Sequence, residues 1–191
     1  ILTKGTTVIG RTVFILLIAI ILYCICIYNK LISLKNQVKK AYSQIEVQLK
    51  RRHDLIPNLI ETVKGYMQHE KETLEKVIKA RNLACNISSD AKIQSQNENI
   101  LSSNLKSLFA LSEKYPDLKA NQNFLSLQEE LTSTENKIAF ARQFYNDSIM
   151  QYNTQKEVFP NNVIADKFNF QSFSMFEIED VKEKEVIKVN F

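Results

Sequence analysis

The chain has 191 residues, enough for one domain and an anchor. Three glycines and three prolines are too few for the turns a sheet needs, which favours long helices. A net charge of +4 is mild, and basic residues interleave with acidic ones at Glu72/Lys76 and Glu75/Lys79, so no face is purely basic and no nucleic-acid partner is expected.

The three cysteines give no disulfide framework: Cys24 and Cys26 fall in an apolar run and Cys85 stands alone. His53 and His69 have no cysteine or carboxylate at ligand spacing, so neither a metal nor a cofactor is expected.

The first element is "TVFILLIAIILYCICIY", Thr12 to Tyr28, which carries no charge. At roughly 17 residues it meets the lower limit for a bilayer span, and Arg11 can snorkel from its amino end. No small-x-small cleavage site follows it, and Tyr23 rather than a small residue precedes Cys24. Residues 12–28 therefore read as an uncleaved anchor in the lipid bilayer. Lys30, Lys35, Lys39 and Lys40 outnumber Lys4 and Arg11, which puts the rest of the chain on the cytoplasmic side of the membrane.

Past the anchor, Ile45, Leu49, Ile56, Leu59, Val63 and Tyr66 form a helical seam once Arg52 is counted. The seam keeps its phase across Pro57. One helix from about Leu31 to Tyr66 is predicted, continuous with the anchor, kinked near Pro57 and turning at Gly65. Pro57 deprives the His53 carbonyl of its helical donor. The competing reading is a fresh helix capped by Asp54.

A second helix is predicted from about His69 to Asn86, with Leu74, Val77, Ile78, Arg81 and Ala84 on one face. "NISSDAKIQSQNEN" is rich in Ser and Asn and reads as loop or frayed turns. A third helix carries Leu101, Leu105, Leu108 and Tyr115 and stops at Pro116, with Asp117 as the next cap. The fourth keeps helical spacing from Phe124 to Tyr152 and ends at Pro160. The predicted fold is all-α: a transmembrane helix followed by an antiparallel up-down-up-down four-helix bundle with long first and fourth helices; the competing reading, with the polar stretch around Ser88 helical, merges helices two and three into a three-helix bundle. Residues 1–30 are the amino-terminal segment and anchor, 31–158 the bundle, and 159–191 an aromatic and charged tail.

Several long segments in order, "AYSQIEVQLKRRHDLIPNLIETVKGY", "HEKETL", "YPDLKANQNFLSLQEELTSTENKIAFARQFYN", "YNTQKEVFPNN" and the closing "VNF", resemble the LemA family over nearly the whole chain. The resemblance implies an amino-terminal transmembrane segment, a four-helix antiparallel domain and bacterial membrane association, and it brings no established activity or catalytic residues. Tyr42 stands where the family commonly has tryptophan.

Helices one and four, turning near Tyr66 and Lys119, bring Arg51 and Arg52 level with Ser133 to Glu135, and Asp54 within about two turns of Arg142. Arg51, Arg52, Asp54, Glu135 and Arg142 are thus candidates for a structural polar layer that fixes helix register. The sharper alternative is a pocket for a small anionic ligand. No Ser–His–Asp order, phosphate loop, paired-acid site or HExxH motif stands out, and His53 reads as an exposed helix residue. The chain is read as a non-enzymatic scaffold or adaptor for unidentified membrane or membrane-associated proteins, with a homo-oligomer as a further option. The rivals are a tethered anion sensor and a membrane-organising protein acting through its aromatic tail.

Overall fold

A computed structural model describes residues 2–86 and 91–176. These residues form six helices and no strand: α1 (Leu2–Lys64), α2 (Lys71–Cys85), α3 (Ala91–Ser112), α4 (Pro116–Lys119), α5 (Gln122–Glu157) and α6 (Asn161–Lys167). The closing "VKEKEVIKVNF" lies outside the described residues, as do positions 87–90 of the polar stretch.

α1 runs unbroken for 63 residues with Pro57 inside it. Large apolar side chains from Val13 to Ile25 are exposed, Phe14 at 64% and Ile15 at 65%. Such a run has no favourable place in water. Among the described residues, this helix is the one long and apolar enough to cross a membrane by length and composition.

Two compact units divide the chain: one of Ile1–Tyr42 with Phe144–Phe173, the other of Ser43–Gln143 with Ser174–Phe191. In the first, aromatic rings pack beside buried Leu31, Val38 and Ile149. Tyr42 meets Tyr145 at 5.7 Å and Tyr152 meets Phe173 at 5.3 Å between centroids. Tyr28 packs on Phe168 and Phe170 at 4.9 and 5.8 Å. The end of α6 sets up that last contact. Asn169 takes the left-handed conformation (φ 55°), and the Phe170 N–H reaches back to the Ala165 carbonyl at 2.9 Å. This paired helix stop turns the chain sharply, and asparagine tolerates it. Part of the aromatic tail thus packs on helices, whereas Phe159 is 82% exposed.

The second unit has an aliphatic core that includes Ile56, Leu59, Val63, Val77, Leu101, Leu108 and Leu131. Its seam on α1 follows the sequence pattern to Val63 and then departs from it. α1 ends at Lys64, so Met67 is buried and Tyr66 is exposed. On α2 the buried positions are Leu74, Val77, Ala80 and Ala84, and Ile78 faces out. Pro116 begins α4 rather than merely ending α3, since a first-turn proline loses no bond. The cap of α5 is Asn121, whose Oδ1 accepts the Phe124 N–H at 3.0 Å.

One segment differs outright from the sequence reading. From Ala91 to Asn99, where Ser and Asn suggest loop, the chain is helical. Gln94, Ser95 and Glu98 are buried there. Gln94 donates to the Ala84 carbonyl at 3.0 Å, satisfying an acceptor in the last turn of α2. Tertiary hydrogen bonding overrides weak local propensity.

Candidate functional site

The site grows from the seam of α1. Heptad-like spacing turns position 52 inward, and the residue there is an arginine, 1% exposed. A buried guanidinium is tolerated only when carboxylates and other acceptors surround it. Two helices supply them. Arg52 donates from Nη2 to Glu98 of α3, and from Nη1 to Glu135 of α5 and to the Ser102 hydroxyl at 2.9 Å. Ser102 in turn donates to Glu135 Oε1 at 3.0 Å.

Glu98 is the hub. Its carboxylate is fully buried and also accepts from His53 Nε2 at 2.9 Å and from Gln94 Nε2 at 3.0 Å. Burial pushes this carboxyl up. The His53 hydrogen bond and the Arg52 charge together outweigh burial and hold it below the usual range. His53 is therefore a buried member of the network, not the exposed residue its sequence suggests. A histidine beside two polar neighbours gives no local sign of which face it occupies.

The same turn answers the problem posed by Pro57. The His53 carbonyl, left without its helical partner, accepts from Arg81 Nε of α2 at 3.2 Å. Arg81 thereby supplies from another helix the donor that proline lacks.

The remaining candidates are placed differently. Arg51 points outward and pairs with Glu130 at 2.5 Å, with both side chains well exposed. Asp54 is exposed and makes no side-chain hydrogen bond or ion pair among the described residues, so it does not join Arg142. Arg142 instead contacts Asn99 Oδ1 at 3.4 Å and lies 5.8 Å over the Phe176 ring. Burial, and then the like charge of Arg52, press its guanidinium down from its ordinary value, and Glu98 and Glu135 partly offset them.

Sequence reasoning missed Glu98 and Gln94, the two residues that close the network. Both lie in the stretch read as loop. Their i, i+4 spacing, continued by Ser102, was the available signal.

Chemically, each buried charge of the cluster faces a partner of opposite sign. Arg52 is matched by two carboxylates, and Glu98 by Arg52, His53 and Gln94. A cavity of about 150 Å³ opens beside it, lined in part by Ser102, Lys106, Thr132 and Asn136.

Comparison with known proteins bears on the same residues. The model of the LemA family matches residues 41–191, a span that includes every member of the cluster. Protein LemA of Metamycoplasma hominis is 27% identical over 158 residues, covering 83% of this chain and 72% of that protein. With more than half of its length matched to the family model, the chain belongs to the LemA family.

Proposed function

We propose that the protein is a non-enzymatic, single-pass scaffold or adaptor of the bacterial inner membrane, in which an antiparallel four-helix bundle presents its outer faces to other membrane proteins. The observation that carries this reading is the closure of the charged centre upon itself. Arg52 and Glu98 are buried and pair with one another, and His53, Gln94, Ser102 and Glu135 take up the rest of their hydrogen bonds except that of Arg52 Nε, which has no partner among the described residues. Such a layer specifies which helices meet and in what register. Contacts of Arg51 with Glu130 and Arg52 with Glu135 in one unit, and of Tyr42 with Tyr145 in the other, are those an antiparallel pairing of α1 and α5 requires.

Crosslinking in intact membranes, followed by affinity capture of the full chain, tests the scaffold. Defined protein partners that persist when Arg51→Ala is introduced support it. A chain that crosslinks to nothing contradicts it. Orientation is tested by fusion at the carboxyl end: the excess of lysines after the anchor predicts an inactive periplasmic phosphatase and an active cytoplasmic reporter.

A second reading has one observation in its favour. The 150 Å³ cavity beside Arg52 carries Lys106 and three neutral polar side chains and is large enough for a small anion. An anion there would compete with Glu135, which already holds the guanidinium. Thermal stabilisation of the full chain by phosphate, abolished in Lys106→Ala, would favour this sensor. The exposed Phe159 is the corresponding observation for a membrane-organising tail, read by deformation of liposomes.

A further inference from the structure

Along α1 the change from bare to covered is abrupt. The large apolar side chains from Val13 to Ile25 are exposed, whereas Ile27 and Leu31 are buried. Cover by other helices thus begins where the uncharged run of residues 12–28 ends.

The same compact unit brings a second apolar feature to that level. Tyr42 of α1 meets Tyr145 of α5. Fourteen residues separate Tyr42 from Tyr28 on α1, and fourteen separate Tyr145 from Phe159, just past the end of α5. Equal rise per residue brings Phe159 level with Tyr28. An independent contact gives the same level, since Phe168, at the end of α6, packs on Tyr28 at 4.9 Å. The corner from Val158 to Phe168 therefore lies where the apolar run stops. Its outer side chains do not suit water: Val158, Phe159, Val163 and Phe168 are all exposed. Lys30 and Lys167 are balanced there by Glu157 and Asp166, all exposed, so the corner offers apolar side chains rather than charge.

We infer that the corner between α5 and α6 is an interfacial seat. Phe159, Val163 and Phe168 enter the boundary between head groups and acyl chains of the membrane that residues 12–28 cross. The inference rests on that span. It goes beyond the readings above, because anchor and corner share one leaflet and neither a protein partner nor a deformed bilayer is required. Aromatic rings favour this boundary, and an apolar face lying in it sinks about 5–10 Å. The anchor holds the corner against the surface at a raised effective concentration, so a few side chains suffice. A second contact with the leaflet limits the tilt of α1.

The chain contains no tryptophan, so one introduced at a time reports its own surroundings. The full chain is placed in phosphatidylcholine vesicles, with and without bromine on the acyl chains, as Phe159→Trp, Leu22→Trp and Met150→Trp. Leu22 lies within the span, and exposed Met150 lies roughly 13 Å up α5 from Phe159. Tryptophan seeks the interface by itself, and Met150→Trp controls for that. Brominated lipid should quench most of the emission of Leu22→Trp and Phe159→Trp and leave Met150→Trp unchanged. Phe159→Trp emission should also be blue-shifted relative to Met150→Trp. If Leu22→Trp is quenched and Phe159→Trp is not, the span stands and the seat is overturned. A blue-shifted but unquenched Phe159→Trp means that protein, such as a second copy, covers the corner, which also overturns it. Equal quenching at Phe159 and Met150 overturns it too, since contact would then not be confined to the corner. An unquenched Leu22→Trp removes the span and the seat together.

Discussion

The two compact units solve the problem of holding long helices together by different means. Around Tyr28, Tyr42, Tyr145 and Tyr152, aromatic rings meet at 4.9 to 5.8 Å and stabilise through area and edge-to-face contact. Around Arg52, a buried ion-pair network is bonded to four other side chains across three helices. Ring packing is forgiving, since a slipped helix still finds apolar surface. A buried arginine is not, because a slip by one turn would leave its charge and that of Glu98 without partners. The charged network thus adds specificity of register at little net gain in stability, whereas the ring contacts add stability with less specificity.

That contrast is broken most severely at Glu98. Glu98→Ala removes the buried acceptor of Arg52 Nη2 and of the His53 and Gln94 donors, leaving half-exposed Glu135 as the only carboxylate on the buried guanidinium among the described residues. Urea unfolding of the full chain in detergent should show a loss of about 3–5 kcal/mol. Replacing Arg52, His53 and Glu98 together by apolar residues of similar volume should recover most of that loss, as the charge then left without a partner, Glu135, is open to water. A conservative exchange among the rings, Phe170→Leu, should cost about 1 kcal/mol, because the apolar volume is nearly kept.

Acid sharpens the same comparison. The Glu98 carboxyl is held below its ordinary value of 4.5: burial raises it, but the His53 hydrogen bond and the Arg52 charge prevail. A group depressed in this way stabilises the fold fully above its unfolded value, and the contribution is lost as pH falls through the folded value. The stability difference between wild type and Glu98→Gln should be widest above about pH 5 and should close below it. A difference that stayed constant from neutral to acid would mean that Glu98 is not ionised in the fold.

Smaller effects are expected toward the surface. Glu135 holds the same arginine, but its side chain is 43% exposed and water can replace it. Glu135→Ala should therefore cost about 1 kcal/mol, well below Glu98→Ala. Arg51→Ala, which removes a solvent-exposed pair with Glu130, should change stability by less than about 0.5 kcal/mol. If Arg51 mattered as much as Arg52, the distinction between a buried layer and a solvated face would fail.

How much of this was legible depended on which residues carried the signal. Arg52 betrayed itself by occupying an apolar seam, and the continuity of α1 through Pro57 followed from the seam keeping its phase. Arg81, the donor that makes the proline tolerable, could be placed on a helix face but not assigned to the His53 carbonyl, a contact set by tertiary packing. Glu98 was illegible for a similar reason. Its helix is rich in Ser, Asn and Gln, which favour turns in isolation and become helical here because their side chains find buried partners. Tyr66 misled because the pattern ran one turn past the point where α1 stops.

The most direct test is a double-mutant cycle on Arg52 and Glu98, measured by urea unfolding of the full chain with Arg52→Ala, Glu98→Ala and the two combined. A structural layer predicts that each single change costs about 3–5 kcal/mol and that the pair costs no more than either alone, a coupling of roughly 3 kcal/mol. Additive losses, with coupling near zero, would show that the two residues act independently and that the buried network does not organise the fold.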